Sequence, residues 1–253
     1  MTKLIHFEHP LSERVRNFLR IAHLFRHFHE VSIRTEAWAH HCALFSLFEI
    51  MEAAARAELK LDILQELERQ KGLARQQNEE GQFLLDSIQT AMTNLQNVQQ
   101  KFGQHLRENE WLMAIKQRMF VPGGTSPYDL PSYYYWQQKK PAEREQQLQE
   151  WIQSLLPTYE AINLLLKILH QNSLSVDCIA TAGSYKHNSL GQNIHLLSID
   201  VAEDTEALPE VSANKYFTHI RFLQASQEQA RGLVLTKDIP FTLIMYSFDP
   251  VIK

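Results

Sequence analysis

The amino-acid sequence predicts an α+β fold, helical first and β-rich at the end, and three observations point to it. Up to about residue 173, glutamine, leucine, glutamate and arginine dominate, and apolar residues recur at steps of three and four, the helical period. Beyond that point β-branched and aromatic residues alternate with polar ones, the strand period. No stretch alternates strand, helix and strand, so the two kinds of element are segregated rather than interleaved. The expected division is a mostly helical, antiparallel bundle-like domain over residues 9–173 and a small antiparallel β-sheet domain over 174–253, with residues 3–8 able to add a strand.

Each element has its own warrant. The segment Lys3 to Glu8 alternates, with Ile5 and Phe7 on one side. The first helix starts after Pro10, with Ser12 as N-cap and Glu13 in the first turn, where its charge complements the helix dipole. Leu11, Val15, Phe18, Ala22 and Phe25 fall on its apolar face. A second helix follows Thr35, with Trp38, Cys42, Phe45, Phe48, Met51 and Ala55 as its stripe, and a third carries Leu59, Ile63, Leu64 and Leu67. Leu84, Ile88, Ala91, Leu95, Val98 and Phe102 then alternate steps of four and three. That run is too short for an autonomous coiled coil, so this helix is expected to pack on its neighbour as an antiparallel pair or bundle arm.

A further helical stretch with Leu106, Met113, Ile115 and Met119 runs to Val121, after which Pro122, Gly123, Gly124, Pro127 and Pro131 enforce a loop. Pro141 fits the first turn of a helix carrying Leu148, Trp151, Ile152 and Leu155, and Pro157 opens the last one, with Ile162, Leu165, Leu166 and Leu169. Four strands follow: Val176 to Ala182, Ile194 to Val201, Tyr216 to Leu223, and Ile239 to Phe248. They predict an antiparallel sheet with one face covered, most simply by the helical part.

Composition narrows the function. The 253 residues are 44% hydrophobic and 21% charged, the balance of a folded soluble protein with one large or two modest domains. A net charge of -4 argues against a general nucleic-acid binder, which usually carries a basic excess. Cys42 and Cys178 stand far apart with no C-x-x-C, so neither a disulfide framework nor a structural zinc site is indicated, and a reducing cytosol is the simplest compartment. The N-terminal residues lack the apolar core of a secretory signal. The most apolar stretch, His41 to Ala57, is interrupted by Glu49, Glu52 and Arg56 and falls short of the roughly 18 residues a spanning helix needs. A cytoplasmic protein with no direct membrane insertion is expected.

Two basic surfaces stand out. On the first helix Arg16, Arg20, His23 and His27 form one stripe opposite the apolar face, suited to an anion or acidic peptide, although a solvated helix face reads the same way. His23 and His27 have the spacing of two zinc ligands, with His40 or His41 as a third, but there is no H-E-x-x-H and the neighbouring arginines repel a cation. On the third predicted strand Lys215, His219 and Arg221 alternate onto the side of Phe217 and Leu223, a face able to clasp a peptide with acidic and apolar residues. Arg107, Lys116 and Arg118 flank the Pro-Gly-Gly loop, which lacks the phosphate-binding pattern and reads as a tight turn. Tyr133, Tyr134, Tyr135 and Trp136 suit a core or a protein interface better than base stacking. No nucleophile–base or paired-carboxylate signature appears, so the motifs offer no catalytic site and call for no cofactor or metal.

Phe7-Glu8-His9-Pro10-Leu11, Arg16, Leu19-Arg20-Ile21, Gly103-Gln104, Leu106-Arg107-Glu108, Gln117-Arg118, Pro122-Gly123-Gly124, Asp129-Leu130-Pro131, Trp136, Trp151-Ile152 and Ile220-Arg221-Phe222 occur in an order that resembles the ZapD family. These are cytosolic bacterial division factors that bind and bundle the filament protein FtsZ. The resemblance spans nearly the whole chain. It implies a symmetric homodimer, a helical and a β domain in each subunit, no catalysis, and basic pockets for the acidic and apolar C-terminal tail of FtsZ at the mid-cell division site. Carried over by position, Arg20, Arg56, Arg107 and Arg221 are the leading tail-binding residues, with Arg16, Arg118 and Lys215 next, and Tyr134 is added as an apolar contact. Tyr134 stands where the family pattern has histidine, Thr125 where cysteine is usual and Glu110 where a basic residue is familiar, which implies a less positive pocket. A helical scaffold or a nucleic-acid binder using the same basic stripe is the alternative, and a metal-dependent enzyme built on His23, His27 and His40 a more distant one.

Overall fold

The computed structural model describes residues 3–54, 58–76, 79–98, 102–188, 193–213, 217–229 and 232–249. It is α+β, and the chain divides into two compact units, Met1–Arg16 with Lys167–Lys253, and Asn17–Leu166.

The first unit holds the strands β1 (Leu4–Pro10), β2 (Ser173–Ala180), β3 (Ser184–Asn188), β4 (Leu196–Ala202), β5 (Ala207–Ala213), β6 (Phe217–Gln224) and β7 (Ile239–Tyr246). They form not one sheet but two, ordered β1-β4-β7-β2 and β3-β6-β5 and antiparallel throughout. The leading segment pairs with β4, from Leu4 opposite Ala202 to Pro10 opposite Leu196. Inward residues of both sheets share one core: Leu197, Ile199, Leu243 and Met245 from the first, and Ile220 and Phe222 from the second. Phe241 meets both Phe222 and Tyr185 across it, ring centroids 5.1 and 5.2 Å apart. Each sheet therefore covers the other's apolar face, a task assigned from the sequence to the helices. The two strands missed in the sequence, β3 and β5, are edges of the smaller sheet. The first is Ser-Tyr-Lys-His-Asn, with little apolar content, and the second contains Pro209, which an edge tolerates.

Helices are α1 (Glu13–Ser32), α2 (Ala37–Ala53), α3 (Leu59–Ala74), α4 (Glu79–Asn97), α5 (Gln104–Arg107), α6 (Glu110–Met119), α7 (Pro131–Gln137), α8 (Pro141–Ile152) and α9 (Leu156–Gln171). Ser12 caps α1, its Oγ accepting from the Val15 amide at 3.2 Å. Asn109 accepts from the Leu112 amide at 3.0 Å, and this cap divides into α5 and α6 what the sequence suggested as one helical stretch. Helix α7 also escaped the sequence reading; Pro131 starts it where the prolines suggested only loop.

The pairing of α3 with α4 follows the heptad reading, with Leu59, Ile63 and Leu67 buried on one helix and Ile88, Ala91 and Leu95 on the other. The α2 stripe holds in part: Phe48 and Met51 are buried, but Trp38 is 60% and Phe45 37% exposed, while Ala39, Ala43, Leu44, Leu47 and Ile50 also face inward, and Ala55 lies outside the described residues. A helix apolar nearly all round gives a weak periodic signal, so the first half of the expected stripe falls on the wrong side. Trp111, Tyr133, Trp136 and Trp151 form an aromatic cluster with ring centroids 5.7 to 6.3 Å apart. The Tyr133 hydroxyl is hydrogen-bonded to His41 Nδ1 at 2.7 Å.

Candidate functional site

In the β unit, antiparallel register sorts the side chains of β6. Thr218, Ile220 and Phe222 are buried, whereas Phe217, His219 and Arg221 alternate outward. Leu223 shares their parity but is buried, beside a strand bridge to Val234. Opposite the outward residues stand Ser184 and Lys186 on β3, and Glu210 and Ser212 on β5. Lys186 is a cation of this face that the sequence did not reveal, because β3 itself was not recognised. Arg221 Nη2 lies 2.9 Å from Glu210 Oε2, with the two side chains 41% and 32% exposed. His219 Nε2 lies 2.9 Å from Ser184 Oγ. Lys215, assigned to this face from the sequence, lies outside the described residues.

Arg16 belongs elsewhere in that unit. Its Nη2 donates to the Pro10 carbonyl at 3.1 Å and its Nε sits 3.4 Å from Glu13, so it is held at the end of β1 in the larger sheet. Arg221, on the outer face of the smaller sheet, is not joined to it by any described contact. Arg16 and partial burial together hold the His9 imidazole below its ordinary pKa, burial being the larger cause. The nearby Ser198, Asp200 and His6 are hydrogen-bonded, but Asp200 is central: Ser198 Oγ donates to it at 3.1 Å and His6 Nδ1 lies 2.8 Å from it.

In the helical unit Arg20 and His23 are exposed on α1, as the stripe reading expects. His27 is tied to Ser46 Oγ at 2.8 Å. His40 is buried: its Nδ1 accepts from Arg144 Nε at 2.9 Å, and its Nε2 donates to the Ser32 carbonyl at 3.1 Å. With both ring nitrogens engaged, His40 is not available as the third zinc ligand. Among the described residues no three His, Cys, Asp or Glu side chains converge to hold a metal ion.

Arg107 turns back to the C-terminal end of α2, donating to the Met51 carbonyl at 3.2 Å and to the Phe102 carbonyl at 2.8 Å. Lys116 reaches the same end of α2 by pairing with Glu52. The carbonyl end of a helix attracts cations, so these residues have local work there. Arg56 lies outside the described residues. Arg118 is exposed near the end of α6, and its carbonyl abuts the Pro-Gly-Gly turn. Gly123 has φ +71°, and a Cβ on Gly124 would lie 2.6 Å from the Arg118 carbonyl oxygen, so the tight-turn reading has a steric basis. Of the tyrosine run, Tyr133 and Trp136 are buried, while Tyr134 and Tyr135 are exposed. Glu110 is the first residue of α6, where an acid suits the helix dipole.

Among the described residues no helix is long and apolar enough to cross a membrane. Comparison with known proteins gives a consistent result. A family model described as ZapD, cell division protein, matches residues 19–221. The chain is 41% identical over 252 residues to the cell division protein ZapD of Chromobacterium violaceum, covering 97% of this chain and 100% of that protein. The cell division proteins ZapD of a Janthinobacterium species and of Dechloromonas aromatica are 38% and 39% identical, covering 97% and 95% of this chain and 100% and 98% of their own lengths.

Proposed function

Because the chain belongs to the ZapD family of cell division proteins, we propose that it is a non-enzymatic adaptor that binds the C-terminal tail of FtsZ and, as a homodimer, cross-links FtsZ filaments at the mid-cell division site in the cytoplasm. The full-length relationship carries this reading. The surfaces support it: Lys186, Arg221 and Phe217 on one sheet face, and Arg20 on α1, offer the cations and apolar contact that an acidic, partly apolar tail requires.

Arg20 and Arg221 are the residues on which the binding role is best tested. Arg107 also donates to backbone carbonyls at the end of α2, so its substitution perturbs folding as well as charge. Arg118 and Tyr134 are exposed and can contribute at the helical surface, and Arg16, Arg56 and Lys215 are further candidates on the basis of the resemblance.

The test is fluorescence anisotropy of a labelled FtsZ tail peptide against a scrambled peptide of equal charge, titrated at low and moderate salt. Saturable binding of the native peptide alone, weakening as salt rises past about 0.1 M, is expected. Equal binding of both peptides would reduce the surfaces to a generic charged face. Arg20→Glu and Arg221→Glu should abolish filament bundling in light scattering while leaving the circular dichroism unchanged. Bundling that survived both reversals would remove those residues from the site.

A further inference from the structure

The outward face of the smaller sheet is less basic than its sequence suggests, because Arg221 is already facing a carboxylate. We propose that Glu210 competes within the chain for Arg221, occupying the place of a ligand carboxylate and thereby setting how tightly this face holds an acidic peptide. The inference rests on the adaptor reading above and adds a determinant of affinity to it.

The β5–β6 register puts Glu210 directly opposite Arg221, so the pair is built into the pairing of the strands. The 2.9 Å contact between Nη2 and Oε2 is a charge-assisted hydrogen bond, the kind an acidic side chain of a ligand would make. Both side chains are partly open to water, so exchange of one carboxylate for another costs little. Further along the same face come His219 opposite Lys186 and then the exposed Phe217, which gives an arriving peptide an ammonium and an aromatic surface beside the guanidinium. Glu210 is the acidic member of this described row. It lowers the attraction for a negative ligand and must leave Arg221 before that ligand takes its place. A role only in aiming Arg221 would predict the opposite effect of removing its charge.

Glu210→Gln separates the two, since glutamine keeps the size and an acceptor oxygen but not the charge. Binding of the labelled acidic tail peptide to the full chain should tighten by about threefold to tenfold in this variant, the exposed pair and the lost repulsion together accounting for the gain. Its affinity should also fall more steeply with salt than that of the parent chain. In an Arg221→Ala background the same substitution should give a distinctly smaller gain than in the parent chain, because the competition for Arg221 is gone and only the lost repulsion remains; an equal gain in both backgrounds would overturn the competitor role. Glu210→Thr, which suits a strand, should reproduce the gain if the glutamine variant lost its sheet signal in circular dichroism. Saturable binding by the parent chain with unchanged or weaker binding by both Glu210 variants would overturn the competitor role and leave the adaptor reading standing. Absence of saturable binding by the parent chain would overturn both.

Discussion

Arg144 provides the sharpest stability prediction, because it is buried, only 4% exposed, and its described hydrogen-bond partners are all neutral. It donates to His40 Nδ1, to the carbonyls of Gln137 and Lys139 through Nη1, and to the Thr35 carbonyl through Nη2, at 2.5 to 2.9 Å. These acceptors lie at the end of α7 and in the link between α1 and α2, where helix carbonyls lack intrahelical donors. Arg144→Met removes every donor. Charge-assisted bonds are worth about 1.5–3 kcal/mol each, which bounds the loss from above. Water entering beside the shorter side chain recovers part of it, and relief of the guanidinium's desolvation recovers more. The balance is about 3 kcal/mol, or about 6–12 °C in Tm for a chain of this length. Thermal unfolding followed by far-ultraviolet circular dichroism measures it. Arg144→Lys keeps the charge but loses the planar fork, and should fall between the two. A shift under about 3 °C for the methionine variant would refute the argument that these carbonyls depend on the guanidinium.

Acid should destabilise the helical unit through the same network. Burial first, and Arg144 second, lower the His40 pKa below 6.5, and burial alone lowers those of His29 and His41. The unfolded chain then binds more protons than the folded one below about pH 6.5, so stability is full above that pH and declines as the pH falls through the folded-state values; urea midpoints at pH 7.5 and 5.5 should show the decline. Gly183→Ala should cost about 3 kcal/mol, since φ is +71° there and an added Cβ would lie 2.0 Å from the Leu235 carbonyl oxygen. A chemical-denaturation midpoint within error of the parent's would contradict that steric account. Tyr133→Phe removes the hydroxyl bonded to His41 and should cost about 1 kcal/mol in the same assay, with a larger loss only if the aromatic cluster also repacks.

Much of the fold was legible because its signals are local. Ser12 before Glu13, proline at the starts of α8 and α9, and the four-three spacing from Leu84 each act through neighbouring residues, and each marks an element that forms. What escaped depends on partners distant in sequence. Edge strand β3 carries too little apolar content to announce itself, yet it brings Lys186 opposite His219. No periodicity marks Arg144 as buried; its role follows from carbonyls at Thr35, Gln137 and Lys139 being gathered around one position. The candidate cations were legible as residue types but not as free charges. Arg107 serves the α2 carbonyls, Lys116 pairs with Glu52, and Arg16 lies between the Pro10 carbonyl and Glu13.

That local engagement bears on how an adaptor of this design would hold a filament. On the proposed reading Arg221 exchanges Glu210 for a ligand carboxylate and Arg16 stands beside Glu13, so the net gain at a single site would be smaller than the number of arginines implies. Weak single contacts still suffice when one dimer engages two tails on polymers that present many, because the second engagement is intramolecular and adds about 10²- to 10⁴-fold. The expected outcome is a monomeric tail peptide bound with Kd at least a hundredfold above the apparent Kd for the polymer, measured by anisotropy and by cosedimentation in one buffer. Raising the salt should dissociate the polymer complex over a narrower range than the peptide complex, since several screened contacts are then lost together. Equal affinities for peptide and polymer would mean that one tail site carries the whole interaction, and the bivalent account would fall.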